Sequence, residues 1–181
     1  MKKIFVPYPE FKTERLLLRA LKPKDDRDLF VLRSDARVNR YIDRNKTPAL
    51  EDVQAWMETI QKNIDNHETF YWAICPQGSD ELIGTICLFH FSEEHQSAEL
   101  GFELQPDYQG KGLMTEAVQC ILDFSFREQQ FQKLEAWVHR ENQASTKLVE
   151  KFNFLKDKEL EQLHQALPEL EYMNIYSLSR S

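Results

Sequence analysis

Apolar and polar side chains alternate regularly in two segments of the chain. From Ala98 to Gln105, apolar residues occupy every second position, and Glu99, Gly101, Glu103 and Gln105 lie between them. Leu134 to Val138 alternate in the same way. Because successive side chains of a strand point to opposite faces, both segments are predicted strands with one buried face.

Three other segments space their apolar residues three and four positions apart, as one face of an amphipathic helix requires. The first runs from Leu50 to about His67 and the second from Leu113 to about Arg127. The third begins near Asn142, a favourable N-cap residue, and ends at Asn153. Asparagine tolerates the left-handed conformation that often closes a helix, so Asn153 is predicted to adopt it.

The remaining apolar and aromatic runs predict further strands and complete the fold class. These strands are expected at Thr13–Arg19, Phe70–Ile74, Leu82–Phe91, Phe154–Leu160 and Glu171–Ser179. Two short helices are expected between Lys22 and about Tyr41. Strands followed by alternating strands and helices predict a mixed sheet with helices on its faces, an α/β (α+β) architecture. A length of 181 residues fits one domain over residues 1–181.

Composition narrows the classes of partner. The chain has 23 Lys and Arg residues against 30 Asp and Glu residues, a formal net charge of −7. This balance argues against nucleic acid as a partner, because a phosphate backbone requires clustered cations. Cys75, Cys87 and Cys120 are scattered, which favours neither a disulfide framework nor a metal site. No apolar run is long enough for a membrane span or a secretion signal, so a cytoplasmic location is expected.

A glycine-containing loop, Asp107 to Met114, joins a predicted strand to a predicted helix. Gly110 and Gly112 allow the backbone to approach a ligand closely, Lys111 adds positive charge, and Met114 and Thr115 supply N–H groups of the first helical turn. Such a helix start favours binding of a phosphate. The spacing matches neither a Walker A loop nor a dinucleotide fingerprint, and an ordinary tight turn remains the alternative at this point.

The sequence resembles the GNAT superfamily of N-acetyltransferases, and within it the branch that acetylates the N-terminal alanine or serine of ribosomal proteins. The resemblance covers nearly the whole chain. It is carried by TERLLLR at Thr13–Arg19, by AELGFELQPDYQGKGLMTEA at Ala98–Ala117, and by HRENQASTKLVEKFNF at His139–Phe154. It implies a single, mostly antiparallel sheet with helices on both faces and a central parallel strand pair that splays apart.

The resemblance also implies a cofactor, acetyl-CoA, and residues that bind it. The loop Gln109–Thr115 would hold the pyrophosphate, Asn142 would bond the pantetheine arm, and the backbone N–H of Leu104 would bind the thioester carbonyl. The cofactor-binding set is therefore Leu104, Gln109, Gly110, Lys111, Gly112, Leu113, Met114, Thr115 and Asn142. Two positions depart from the common pattern: Met114 stands where Gly or Ala is frequent, and Asn153 replaces the Gly of a closing Gly-Phe pair.

Candidate catalytic residues follow from the chemistry of amine acetylation. Ser145 matches the serine that this branch carries where other members use a tyrosine to protonate the leaving thiolate. A hydroxyl that merely bonds the backbone at a helix start is the alternative interpretation. An amine must lose a proton to become a nucleophile, and Glu103, then Glu99, then His139 are the candidate acceptors. Glu99 and Glu103 stand about 13 Å apart along their strand, so they cannot share a proton.

The sequence therefore predicts an acetyl-CoA-dependent N-acetyltransferase that acts on a primary amine by direct attack and without a metal. The N-terminal amine of a protein, such as a ribosomal protein, is the preferred acceptor. A polyamine or amino sugar is the alternative acceptor, and a non-catalytic CoA-binding regulatory module is the alternative function. The expected partners are the amine substrate alone, with no nucleic acid and no membrane, for a chain that is a monomer or a homodimer.

Overall fold

One eight-stranded sheet runs through the protein. The computed structural model describes residues 7–44 and 49–180. The strands are β1 (Phe11–Lys12), β2 (Leu16–Ala20), β3 (Phe70–Pro76), β4 (Gly84–Ser92), β5 (Ser97–Leu104), β6 (Lys133–His139), β7 (Leu155–Lys156) and β8 (Met173–Ser179). They lie in the order β1-β2-β3-β4-β5-β6-β8-β7, antiparallel throughout the described strands except for the parallel pair β5 and β6. This confirms the predicted mixed sheet.

Five α-helices connect and cover the strands. They are α1 (Asp26–Ser34), α2 (Leu50–Asp65), α3 (Leu113–Asp123), α4 (Gln143–Lys151) and α5 (Lys158–Leu163), within the described part of the chain. The three periodic segments correspond to α2, α3 and α4, so the helix predictions are confirmed. Helix α3 continues as a π-helical turn, Phe124–Glu128, in which the buried Ser125 hydroxyl donates to the Ile121 carbonyl over 2.6 Å.

Side chains of β3 from Trp72 to Cys75 alternate between two apolar clusters. Trp72 and Ile74 belong to the larger core, which also holds the buried residues of α3 and Val149 of α4. Ala73 and Cys75 belong to a second cluster with buried residues of α1 and α2. Successive strand residues point to opposite faces. We therefore name the two sides of the sheet the α1/α2 face and the α3/α4 face.

A buried ion pair fixes the end of β2 to the start of α1. The Arg19 guanidinium donates twice to Asp25, over 2.7 and 2.9 Å, and both side chains are only 1% exposed. Arg19 also donates to the Asp80 carbonyl, and Asp25 accepts from the Lys22 amide. Buried charges are tolerated when paired and hydrogen-bonded in this way.

The predicted strand at Phe154–Leu160 is wrong for most of its length. Only Leu155–Lys156 pair with β8, and the chain then enters α5. The cause is Asp157, whose carboxylate accepts from the Leu160 amide as an N-cap and is held by Lys133 at 2.8 Å. An aspartate cap initiates a helix where apolar content alone indicated a strand.

Among the described residues, no helix is both long and apolar enough to cross a bilayer.

Candidate active site

A gap opens inside the sheet between β5 and β6. These strands pair over three residue positions, of which the last joins Glu99 to Glu135. Beyond it, β5 continues to Leu104 and β6 to His139 without pairing to each other. Each strand keeps its outer partner, β4 or β8. The two parallel strands therefore splay toward their carboxyl ends, as the resemblance implied.

Backbone amides of β5 point into this gap. The Gln105 amide donates to the Ile83 carbonyl over 2.8 Å, on the β4 side. In an antiparallel pair, the N–H groups alternate between the partner strand and the opposite side. Those of Phe102 and Leu104 are therefore directed at the β6 side. The amide proposed to bind a thioester carbonyl accordingly faces the gap, next to a Leu104 carbonyl that accepts from Gln109 Nε2 at 2.8 Å.

Two glycines in the loop that follows β5 adopt left-handed backbone conformations. Gly110 has φ +72° and Gly112 has φ +77°, both in the left-handed region that favours glycine. Gly112 is the N-cap of α3, and no side chain caps it. The first amides of a helix lack intrahelical acceptors and lie at the positive end of its dipole. The loop therefore presents a set of N–H donors suited to a phosphate.

A network of hydrogen bonds fixes this loop to the start of β2. Arg15 donates through Nη1 to the Lys111 carbonyl over 2.9 Å, and through Nε to Glu116 of α3 over 2.7 Å. Glu116 also accepts from the Arg15 amide and the Thr13 hydroxyl. These bonds lower the pKa of Glu116 although its burial alone would raise it. The loop is thus held in place by residues from the TERLLLR segment.

The second predicted site segment begins directly after β6. Asn142 is the N-cap of α4, and its Oδ1 accepts from the Ser145 amide over 3.1 Å. Its side-chain NH₂ group has no acceptor among the described residues. The Ser145 hydroxyl has no hydrogen-bond partner among the described residues, so it does not bond the backbone of its helix. Because β5 and β6 are parallel, their carboxyl ends place both predicted segments at one edge of the sheet.

Asn153 closes α4 as predicted. Its φ is +61°, in the left-handed region. Its amide donates to the Glu150 carbonyl, and the Phe154 amide donates to Val149. The exchange of glycine for asparagine at this position therefore preserves the helix end.

Glu103 lies on the α1/α2 face inside a cluster of charges. Register places it opposite Thr85, whose hydroxyl contacts it at 3.4 Å. Arg44 donates to both carboxylate oxygens, over 2.5 and 3.4 Å, and Arg33 lies 3.9 Å away. The Arg33 guanidinium is stacked on the ring of Trp56, 3.9 Å from its centroid. Glu103 therefore lies beside Leu104 but is held by cations.

Glu99 lies at the closed end of the gap. Its carboxylate accepts from His90 Nδ1 at 2.9 Å, and this bond raises the pKa of the histidine. Glu135, its partner on β6, has a pKa raised mainly by burial. Five residues along a strand place Glu99 about 16 Å from Leu104. Of the two predicted carboxylates, only Glu103 is near the open end.

His139 ends β6 on the same α1/α2 face as Glu99, because Glu135 and His139 are an even number of residues apart. Its Nδ1 accepts from the Glu141 amide over 3.2 Å. Its ring lies between those of Tyr41 and Tyr172, at centroid distances of 5.0 and 5.7 Å. The segment between α1 and α2 therefore contacts both splayed strands, β6 through Tyr41 and β5 through Arg44.

The cysteines form no disulfide within the described residues. Burial raises the pKa of Cys75 and of Cys120 to about 11 and that of Cys87 further, so these thiols stay protonated at neutral pH. In the same part of the chain, no three His, Cys, Asp or Glu side chains gather as metal ligands would. His90 and His95 lie in or near the β4–β5 turn.

Two arrangements at this site are missing from the sequence-based predictions. One is the Arg15–Glu116 connection, whose partners are 101 residues apart. The other is the pairing of Glu103 with Arg44, 59 residues away. Neither follows a local spacing rule. Arg15 and Glu116 are nevertheless both part of the segments that carry the family resemblance.

Sequence comparison identifies the family and two relatives that are acetyltransferases by name. The family described as acetyltransferase (GNAT) domain matches residues 15–155. The N-acetyltransferase p20 of Bacillus licheniformis, itself uncharacterized, is 32% identical over 169 residues, which are 92% of this chain and 93% of that protein. The spermidine N(1)-acetyltransferase of Escherichia coli K12 is 28% identical over 158 residues, 87% of this chain and 81% of that protein.

A solved structure supports the fold. The ribosomal-protein-S5-alanine acetyltransferase of Vibrio fischeri superposes with a TM-score of 0.73 at 19% identity, over 94% of this chain and 96% of that one. At this identity the likeness extends to the fold alone. The family match covers more than three quarters of the chain. The chain belongs to the GNAT acetyltransferase family and is an N-acetyltransferase.

Proposed function

We propose that this enzyme transfers the acetyl group of acetyl-CoA to a primary amine by direct attack within a ternary complex. The strongest support is that three features suited to binding acetyl-CoA lie close together. A splayed parallel strand pair with inward amides, a left-handed glycine loop at a helix start, and a capped second helix all lie at one edge of the sheet. We place the reaction in the cytoplasm.

The residues present fit acetyl-CoA. The amides of the loop Gln109–Thr115 would bind the pyrophosphate at the positive end of α3. The NH₂ group of Asn142 would donate to the pantetheine arm, since its Oδ1 is engaged in the cap. The Leu104 amide would donate to the thioester carbonyl, and so favour the charge that develops on that oxygen. When bound, acetyl-CoA supplies the activated acetyl group.

Ser145 is proposed as the proton donor to the departing thiolate, and its hydroxyl would regain a proton from solvent. Its hydroxyl lacks a partner among the described residues, and it lies one turn after Asn142. Donation that is made mainly in the transition state lowers the activation barrier without tightening substrate binding.

Glu103 remains our first choice for the group that accepts the proton of the amine, ahead of Glu99 and His139. It is the carboxylate nearest Leu104 on the face opposite the cofactor loop. A carboxylate offers about four lone-pair sites, of which Arg44 uses two and Thr85 one. Glu103 can thus bond one further group, which we assign to the amine or to a water that bridges to it.

The preferred acceptor is the N-terminal amine of a protein. Support comes from the resemblance to the ribosomal-protein branch and from the fold shared with the S5-alanine acetyltransferase. A small amine is the second candidate, because the spermidine enzyme is a relative over most of both chains.

Thiol release from acetyl-CoA, measured with a panel of amines, tests the proposal. We expect turnover with at least one peptide that begins with alanine or serine. Glu103→Gln should keep acetyl-CoA affinity and lower the rate, and Glu99→Gln and His139→Ala serve as comparisons. Tight acetyl-CoA binding without turnover on any amine would instead identify a non-catalytic CoA-binding module.

A further inference from the structure

The charge cluster on the α1/α2 face carries an uncompensated positive charge. Glu103 is 10% exposed, and the two guanidinium groups around it, those of Arg33 and Arg44, are 16% and 13% exposed. One carboxylate faces two cations, in a chain whose formal net charge is −7. Burial is the main influence on the pKa of Arg33 and lowers it, as desolvation of an incompletely paired cation does.

The two arginines also have more N–H donors than the described residues have acceptors for them. Arg44 uses three of its five N–H groups, through Nε to Asn39 at 2.6 Å and through two bonds to Glu103. The Arg33 side chain makes no hydrogen bond to the described residues. Its Nη1 lies 3.9 Å from a Glu103 carboxylate oxygen, which is an ion-pair distance. Among these residues, the only fully enclosed and unpaired side-chain nitrogen is Arg19 Nε. The guanidinium nitrogens of Arg33 are therefore not fully enclosed, and the side chain of Arg44 is 13% exposed.

This cluster lies on the side of the sheet from which an acceptor would approach. The side chains of Leu100 and Leu104 pack in the core that contains α3, and so do the first residues after the glycine loop. Glu103 alternates with them and points to the α1/α2 face. A cofactor held by the loop would therefore occupy the α3/α4 side of the gap. The amine would then enter from the side of Arg33 and Arg44.

We propose that Arg33 and Arg44 bind a carboxylate or phosphate group of the acceptor, so that the preferred substrate is a primary amine that also carries an anion. This inference rests on the proposed function. Guanidinium groups bind both anions through paired N–H donors. A polyamine would instead bring further ammonium groups toward an uncompensated cation, which costs free energy. The relationship to the spermidine enzyme therefore does not extend, on this proposal, to the acceptor.

The test uses acceptors that differ in one charge. One pair is a peptide that begins with serine and glutamate and a peptide that begins with serine and glutamine. Their N-terminal amines have similar basicity, so a difference in rate reports the effect of the glutamate carboxylate. An amino sugar with and without a phosphate group forms the second pair, and spermidine is the cationic comparison. We expect kcat/KM at least tenfold higher for the anionic member of a pair. Which pair shows the difference identifies the source of the anion.

Substitution of an arginine tests whether the preference for an anionic acceptor depends on Arg33 and Arg44. Arg33→Gln should raise the KM for the anionic acceptor about tenfold and leave acetyl-CoA affinity unchanged. Arg37→Gln is the matched control, because it removes a positive charge from the same segment at a side chain that is 67% exposed and paired with Asp35. It should leave the preference intact. If Arg33→Gln does not fold, the wild-type comparison of the paired acceptors decides.

Two results would overturn the proposal: equal or greater kcat/KM for the neutral or cationic acceptors, or an unchanged preference in folded Arg33→Gln. Failure of the proposed function itself gives a different result. In that case acetyl-CoA binds, and no amine of any charge releases thiol.

Discussion

Substitution of Gly112 by valine separates the fold from the cofactor site, because the chain contains a matched control. Gly112 and Gly78 both have φ +77°. A Cβ on Gly112 would meet only Arg15 Nη2, at 3.5 Å, which is an ordinary contact, and a Cβ on Gly78 would meet nothing within 4 Å. Both variants therefore carry backbone strain without a serious clash. Gly78 lies in the β3–β4 turn, remote in sequence from the loop.

The strain of a side chain in the left-handed region is about 1–2 kcal/mol, with somewhat more for a β-branched residue. For a chain of this size, that corresponds to a decrease in Tm of about 2–8 °C. We expect similar decreases for Gly112→Val and Gly78→Val in a thermal denaturation experiment. Stability alone therefore does not distinguish the two variants.

Acetyl-CoA affinity does distinguish them. The valine side chain at position 112 would occupy the space in which a phosphate approaches the loop amides. Loss of two hydrogen bonds to a charged group removes about 3 kcal/mol or more, which is a loss of affinity of about 100-fold. Titration calorimetry should show this loss for Gly112→Val and wild-type affinity for Gly78→Val. Wild-type affinity in a folded Gly112→Val protein would refute the assignment of the loop.

Three further predictions concern other parts of the molecule. Ser145→Ala should lower kcat by at least tenfold with little change in acetyl-CoA affinity, and an unchanged kcat would make the hydroxyl dispensable. Asp25→Ala should lower the free energy of unfolding in urea by about 3–5 kcal/mol, because it leaves Arg19 buried without its partner; a change below about 1 kcal/mol contradicts this. NMR titration should place the pKa of His90 above its ordinary value, and Glu99→Gln should lower it. Since the folded-state pKa is raised, the stabilisation by this pair is present at low pH and lost as the pH rises through that pKa.

Local rules predicted most of the strands and helices. Alternation identified β5 and β6. The prediction for Asn153 is likewise confirmed. Each of these features depends on residues that are close in sequence, where spacing and conformational preference are sufficient.

The remaining features depend on contacts between distant segments. No spacing rule indicates that Arg44 would meet Glu103, because the two are joined only when α1 and α2 pack on the sheet. The strand at Phe154–Leu160 failed because a cap residue, Asp157, is also held by Lys133 and Ser177 from other strands. The conformations of the glycine loop and of the end of α4 therefore depend on local residues, whereas the Glu103 cluster is assembled from long-range contacts.

A crystal structure of the protein with acetyl-CoA would show whether the cofactor occupies the gap between β5 and β6. We expect the pyrophosphate on the amides of the loop Gln109–Thr115, the pantetheine arm between β5 and β6 near Asn142, and the thioester carbonyl within hydrogen-bond distance of the Leu104 amide. Acetyl-CoA bound elsewhere, with the gap between β5 and β6 left open, would contradict this expectation.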